Sequence, residues 1–398
     1  MRQYTLTHPF SCTEGVTLPE NRLPLRNLTT GEPLIAPVFE VDGDGLPVRR
    51  GVIRPHGGID SLTVSIKRLL VDWSFTKVLD DHGLLTQQKG STERRPRFWV
   101  RVPSEDTRGS TPLLEVRTLD FGYTRLTVNL SHFASMRDAT TFLTRLFPNF
   151  LEAESRITRN DFKIDLGISS ADLIPCVEVL RKQTLAALFD ADASGDTATS
   201  VSLGVDFAFV EVGLNAASNS LRFGGADNEE VSIYDKTYQL IRKGRASSEE
   251  MKGAAITRVE CRLSGRKKRV TAWKDLPLLL FATPFAGVRF RTVAADLDRA
   301  WEAGDKKIHE KLMRFWTICG REGLGMARKA TKGEHLERLI QDGYLKFEPY
   351  NLDLDGQWAL DFSRFMGIDP ATAESLKAAL AARTDLTPEE AGQPVPFD

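Results

Sequence analysis

RNDFKIDLGI, Arg159 to Ile168, is the stretch whose reading decides the fold. Successive side chains of a strand point to opposite faces. Arg159, Asp161, Lys163 and Asp165 therefore share one face, and Phe162, Ile164 and Leu166 the other. Two later stretches repeat the pattern. In ITRVECRLSG, Arg258, Glu260 and Arg262 oppose Val259, Cys261 and Leu263, and in EVSIYDK, Ser232, Tyr234 and Lys236 oppose Val231 and Ile233. Placed side by side, such strands build a sheet with helices over its apolar face and carboxylates, guanidinium groups, an ammonium group and a phenol gathered on the other.

The plain alternative is a solvated face, because half-exposed antiparallel sheets are common. The choice of residues argues against it. Acid, Tyr, Lys and Arg converging is a set suited to phosphodiester chemistry, which needs charge neutralisation, usually by a divalent metal on carboxylates, and an oxygen nucleophile. Asp161 and Glu260 are candidate metal ligands. Asp165 stands about 13 Å from Asp161 along an extended strand, so one of the two is structural or paired with Arg. Tyr234 is the candidate nucleophile, with Tyr238 as rival, and Lys236 and Arg258 are its candidate catalytic partners. Arg159, Lys163, Arg262, Arg266, Lys267 and Lys268 are the candidate DNA contacts.

The flanking sequence supplies the rest of an α+β fold. SLTVSIKRLLVDWSF, RPRFWVRV and TRLTVNL read as strands. Ser135 and Asp138 cap a helix ending near Pro148, and a second helix is expected over Ala171 to about Ala187. Residues 190–200 read as a loop, and VSLGVDFAFVEVG and SNSLRFGG as further strands. After Arg269 the pattern turns helical: KKIHEKLMRFWTIC has helical spacing, GREGLG (Gly320–Gly325) reads as a connection between helices, and Asp369 before Pro370 starts another helix. The expected organisation is an irregular N-terminal arm (1–60), a catalytic domain (61–270), a helical C-terminal region for DNA recognition or oligomerisation (271–385) and a disordered tail (386–398).

The chain of 398 residues carries 53 Lys plus Arg against 54 Asp plus Glu, which excludes a uniform polycation. Charge is nevertheless segregated. Residues 231–270 hold eleven basic against four acidic residues, and residues 351–398 three against nine. Cys12, Cys176, Cys261 and Cys319 are far apart with no C-x-x-C pair, so neither a disulfide framework nor a thiolate zinc site is expected and a cytoplasmic setting is. No apolar run reaches the roughly 20 residues of a membrane helix.

LVDWSFT (Leu70–Thr76), ITRNDFKIDL (Ile157–Leu166), SLRFGG (Ser220–Gly225), VSIYDKTYQL (Val231–Leu240) and ITRVECRL (Ile256–Leu263) resemble, in that order, the motifs of the replication initiation factor family. These are trans-acting initiators of rolling-circle plasmids and filamentous phages, related to relaxases of some conjugative elements. The resemblance covers roughly residues 65–265. It implies an origin-specific, metal-dependent nick of DNA at a hairpin or single-stranded site, leaving a free 3′-hydroxyl and a 5′-phosphotyrosine. It also implies a bacterial cell with a plasmid- or phage-encoded gene, a host helicase and polymerase as partners, and a homodimer.

Tyr234 matches the family's Y-D/N-K element, Asp161 and Asp165 its R-x-D-x-x-x-D strand, and Glu260 its R-x-E strand. None of the six histidines forms an H-x-H pair, so metal would rest on carboxylates, which favour Mg²⁺ or Mn²⁺. Two rival functions share these residues: a DNA-binding replication protein without catalysis, and a metal-dependent nuclease using water.

Overall fold

The structure is a computed structural model that describes residues 24–92, 94–103, 110–119, 122–179, 220–225, 229–243, 246–249, 251–264, 272–285, 287–322, 324–331, 333–350 and 352–376. In chain order the elements are β1 (Ile35–Val41), β2 (Pro47–Ile53), β3 (Gly57–Lys67), α1 (Trp73–Asp81), β4 (Leu85–Gln87), β5 (Arg97–Pro103), β6 (Ser110–Thr118), β7 (Tyr123–Val128), α2 (Met136–Leu146), β8 (Ser155–Leu166), α3 (Ser170–Leu173), β9 (Val177–Val179), β10 (Ser220–Gly225), β11 (Glu229–Asp235), α4 (Lys236–Arg242) and β12 (Thr257–Ser264). They continue as β13 (Val288–Ala295), α5 (Leu297–Glu302), α6 (Lys306–Glu322), α7 (Leu324–Ala330), α8 (Gly333–Gln341), β14 (Leu345–Tyr350) and α9 (Leu354–Met366), with 3₁₀ turns at Leu130–His132, Ile174–Cys176 and Trp273–Phe281.

Among the described residues the centre is an antiparallel sheet of nine strands in the order β10-β11-β12-β8-β3-β7-β6-β5-β4. The stretch around Asp161 lies on β8, between β12 and β3. Phe162, Ile164, Val259, Cys261, Leu263 and Ile233 face a core completed by Phe142, Leu143 and Leu146 of α2. The α2 helix starts where its capping signal places it, with the Asp138 N–H donating to Ser135 Oγ, and ends before Pro148.

Several elements differ from the sequence expectation. The strand read through Phe75 stops at Lys67, because Asp72 caps α1 by accepting from the N–H groups of Ser74 and Phe75. Of the helix expected over Ala171–Ala187, the described part, 171–179, is helical only within α3: Pro175 carries no N–H to continue it, and the chain turns into β9, paired with β13, while 180–187 lie outside the described residues. The expected loop at 190–200, the strand at 201–213 and the tail at 386–398 lie outside the described residues.

In the described part of the arm, β1 and β2 form an antiparallel hairpin. It reaches across to the segment before β12: Leu25 and Leu34 pack with Leu240, Met251 and Ile256, and the Leu28 N–H donates to the Gly253 carbonyl at 2.7 Å. Gly253 holds φ +79°, and a Cβ there would collide with the side chains of Asn27 and Thr29.

After residue 270 the chain is mainly helical, as expected, with a small sheet β14-β13-β9. The GREGLG stretch does join two helices, α6 and α7, and Asp369 accepts from the Thr372 N–H at the start of a helix over 370–376. A second core forms around Leu312, Phe315, Trp316 and Cys319. The boundary expected at 270 is crossed, however, because Trp273, Leu276, Phe285, Trp358 and Phe362 belong to the core of the large sheet. The α9 helix lies so close to β3 that a Cβ on Gly57 would sit 2.6 Å from Trp358 Cα, and Trp358 Nε1 donates to the Gly58 carbonyl at 3.0 Å. No helix among the described residues is long and apolar enough to cross a membrane.

Candidate active site

On the polar face the register makes three rows across β8, β12 and β11: Asp165–Arg258–Tyr234, Lys163–Glu260–Ser232 and Asp161–Arg262–Glu230. In every row a charge on β8 faces its opposite on β12. Directly opposed opposite charges stabilise a strand pair by about 0.2–1 kcal/mol each, so the pattern also holds register.

Arg258 is 1% exposed and forms the brace of the first row. Its Nε and Nη2 donate to the two oxygens of Asp165 at 2.6 and 2.9 Å, and its Nη1 donates to Asp60 Oδ1 at 2.7 Å. Arg54, from the arm, places Nη1 3.7 Å from Asp165. Burial by itself would raise the Asp165 carboxyl, but the charge and hydrogen bonds of Arg258, with Lys163 and Arg54, hold it well below the carboxylate range. Arg262 bridges three carboxylates, Asp161 at 3.0 Å, Glu230 at 3.2 Å and Glu260 at 3.2 Å, and Asp161 is further held by Arg159 at 2.8 Å and Ser61 at 2.8 Å.

Tyr234 is half-buried, and its Oη donates to Glu260 Oε2 at 3.0 Å. Burial is the main cause that pushes the phenol up, and Glu260 adds to it against the opposing charge of Arg258. Glu260 is itself raised, by burial and then by the charges of Asp60 and Asp161. The phenol is thus protonated at rest, with a carboxylate in place to accept its proton. Lys236 Nζ lies 5.9 Å from the Tyr234 ring centre and donates to Gln239 at 2.7 Å. Sequence alternation put Lys236 on the strand; it is instead the first residue of α4, whose cap is Asp235. Tyr238 sits one turn into that helix, off the sheet.

A cavity of about 400 Å³ opens between the arm and the sheet, reaching Arg258 and Lys236, the neighbours of Tyr234, but not Tyr234 itself. Arg49, Arg54, Lys163, Lys236 and Arg258 line it against two acids, Glu32 and Asp60. The crowding of cations is visible in Lys163, which burial, followed by the charge of Arg258, lowers to about 8, and in Lys236, lowered well below the lysine range by the same two causes. A cavity with this excess of positive charge is suited to an anion.

The structure brings together Tyr234, Lys236, Arg258, Glu260, Asp161, Asp165, Lys163, Arg159 and Arg262. Arg159 donates to Asp161, Arg262 to Asp161, Glu230 and Glu260, and Arg258 acts as a brace, while Lys163 and Lys236 are the ammonium groups on the cavity. Arg266, Lys267 and Lys268 lie outside the described residues. Sequence reading missed Asp60 and Arg54. Strict alternation aligns Asp60 with Leu62 and Val64 on the core side, but β3 bulges between Ile59 and Ser61 and turns Asp60 to the polar side.

The expected Mg²⁺ or Mn²⁺ does not fit these carboxylates as they stand. Asp165 is taken up by Arg258, Asp161 by Arg159 and Arg262, and Glu260 by Arg262 and Tyr234. Asp161 and Asp165 occupy the two outer rows, and among the described residues no three His, Cys, Asp or Glu side chains group to hold an ion.

Fold and site define an α+β protein with a tyrosine–carboxylate pair and a basic cavity, linked through Arg258. No family model matches the chain, and no curated protein does. Among solved structures, one described as a rolling circle replication initiator protein from Geobacillus stearothermophilus is similar over 68% of this chain and 98% of that one, at 14% identity and a TM-score of 0.27. At that level the site stands on its own residues.

Proposed function

We propose that this protein cleaves and rejoins a DNA strand through Tyr234, as an initiator of rolling-circle replication. The observation that carries the reading is the 3.0 Å hydrogen bond from Tyr234 Oη to Glu260, on a tyrosine whose neighbours Arg258 and Lys236 line the cation-rich cavity. The five sequence motifs in family order support the replication role.

In this reading a DNA phosphate enters the cavity and is held by Lys163, Lys236 and Arg54. Tyr234 Oη attacks phosphorus: the Oη–P bond forms, the P–O3′ bond breaks, the phenolic proton passes to Glu260, and the departing 3′-oxygen takes a proton from solvent. The phosphotyrosine conserves the diester energy for rejoining, and the free 3′-hydroxyl is the end a polymerase extends. Arg258 is a positioning residue, fixing Asp165 and Asp60 around the anion site.

The test is covalent capture of 3′-labelled single-stranded DNA and internally labelled supercoiled plasmid carrying the cognate origin, with and without Mn²⁺, followed by denaturing gel analysis. Wild type and Tyr238→Phe are expected to become labelled, and Tyr234→Phe to bind DNA without labelling. Labelling that survives in Tyr234→Phe and vanishes in Tyr238→Phe moves the nucleophile to α4. DNA binding with no labelling by any form leaves the non-catalytic reading.

A further inference from the structure

We propose that a second cavity, between α9 and the arm, is a pocket for one nucleobase of the strand whose phosphate occupies the first; this rests on the reading above. The cavity has a volume of about 460 Å³, within the range of about 300–1,000 Å³ usual for small-molecule sites. It and the phosphate cavity share Arg54, Ser131 and Lys163 in their walls. A base seated in one therefore has its own phosphate at the mouth of the other.

The lining selects the chemistry. Ile59, Leu130 and Phe133 are buried walls, and Phe133 and Phe365 offer aromatic surface on which a planar ring stacks. Two polar atoms on lining residues are buried without a partner, the acceptor Gln357 Oε1 and the donor Arg54 Nε. Gln357 is 6% exposed, and its amide is fixed from the other end: Nε2 donates to Asp361 Oδ2 at 3.2 Å, which also accepts from the Gly57 N–H at 2.8 Å. Each unsatisfied buried group costs about 1–3 kcal/mol, so a ligand that brings a donor and an acceptor on one flat edge is favoured once Gln357 and Arg54, whose two atoms are closed to water at rest, turn toward it. Nucleobase edges carry that pattern, whereas an aliphatic chain satisfies neither atom and a simple anion only the donor.

The test uses the full-length chain and isothermal titration with dAMP, dGMP, dCMP, dTMP and base-free deoxyribose 5-phosphate. At least one nucleotide is expected to bind tenfold or more tightly than deoxyribose 5-phosphate. Gln357→Leu removes the acceptor and Ala134→Trp fills the pocket from its rim; either is expected to erase that preference while binding of deoxyribose 5-phosphate stays within twofold. Equal binding of all five probes overturns the proposal, as does a preference that persists in both variants. Repeating the titrations in Tyr234→Phe separates the two readings, because a base preference there survives even where the covalent step proves absent, and labelling without a base preference removes only the pocket.

Discussion

Arg258→Met removes the brace while keeping most of its apolar volume. The guanidinium makes three short hydrogen bonds to Asp165 and Asp60 and is 1% exposed, so the substitution leaves a buried carboxylate without its counter-charge. Breaking a buried pair from one side costs about 3–5 kcal/mol, and replacing both partners by apolar residues recovers much of it. Urea unfolding followed by tryptophan fluorescence is expected to show a loss of about 3–5 kcal/mol for Arg258→Met and, in Arg258→Met/Asp165→Leu, recovery of at least about half.

The pH dependence gives a second, independent sign. In wild type the Asp165 pKa is depressed from its ordinary 3.8, so its contribution is fully present above that value and is lost as pH falls below it toward the folded pKa. Without Arg258, burial dominates and raises the same pKa, so the variant loses stability as pH rises above about 4. Its deficit relative to wild type must therefore be larger at about pH 7 than at about pH 4. A deficit under about 1 kcal/mol, or one equal at both pH values, refutes the brace.

Two other expectations follow from single contacts. Binding of single-stranded DNA to Tyr234→Phe should weaken as pH rises through about 8, where Lys163 gives up its charge, and Lys163→Met should bind more weakly below that pH and lose this part of the dependence, as read by fluorescence anisotropy. Gly57→Ala puts a methyl 2.6 Å from Trp358 Cα, against backbone that cannot swing away; thermal unfolding should report a loss of about 1–3 kcal/mol, and an unchanged Tm would mean that α9 is not seated on β3.

What the sequence made legible was the two-residue period. Alternation along β8, β12 and β11 assigned the charged face and the core face, and the register then set Asp165, Arg258 and Tyr234 in one row. Alternation fails where a strand bulges or ends: it hid Asp60, and it carried Lys236 one residue past the end of β11 into α4. Local pattern also cannot report partners distant in sequence. Arg54 comes from an arm that read as irregular, and Gln357 from a helix some 300 residues beyond β3 that read as part of a separate region. The carboxylates were legible as residues, but whether they hold an ion or a guanidinium depends on which neighbour reaches them first, and each has an arginine within 3.2 Å.

That pairing bears on how the site meets its anion. Guanidinium groups bound in two-pronged fashion to carboxylates form a nearly neutral, rigid frame, so they add little net attraction for a phosphate. The ammonium groups differ. Lys163 and Lys236 stand beside Arg258 in a desolvated pocket, and their lowered pKa values measure the cost of keeping them charged there. A phosphate oxygen offsets the same repulsion that lowers those values, so its arrival raises both lysines back toward their ordinary range. On the proposed function, binding and protonation would then reinforce each other: the anion would recruit the charge that holds it, while Tyr234, kept protonated by burial and Glu260, would not ionise before substrate is in place.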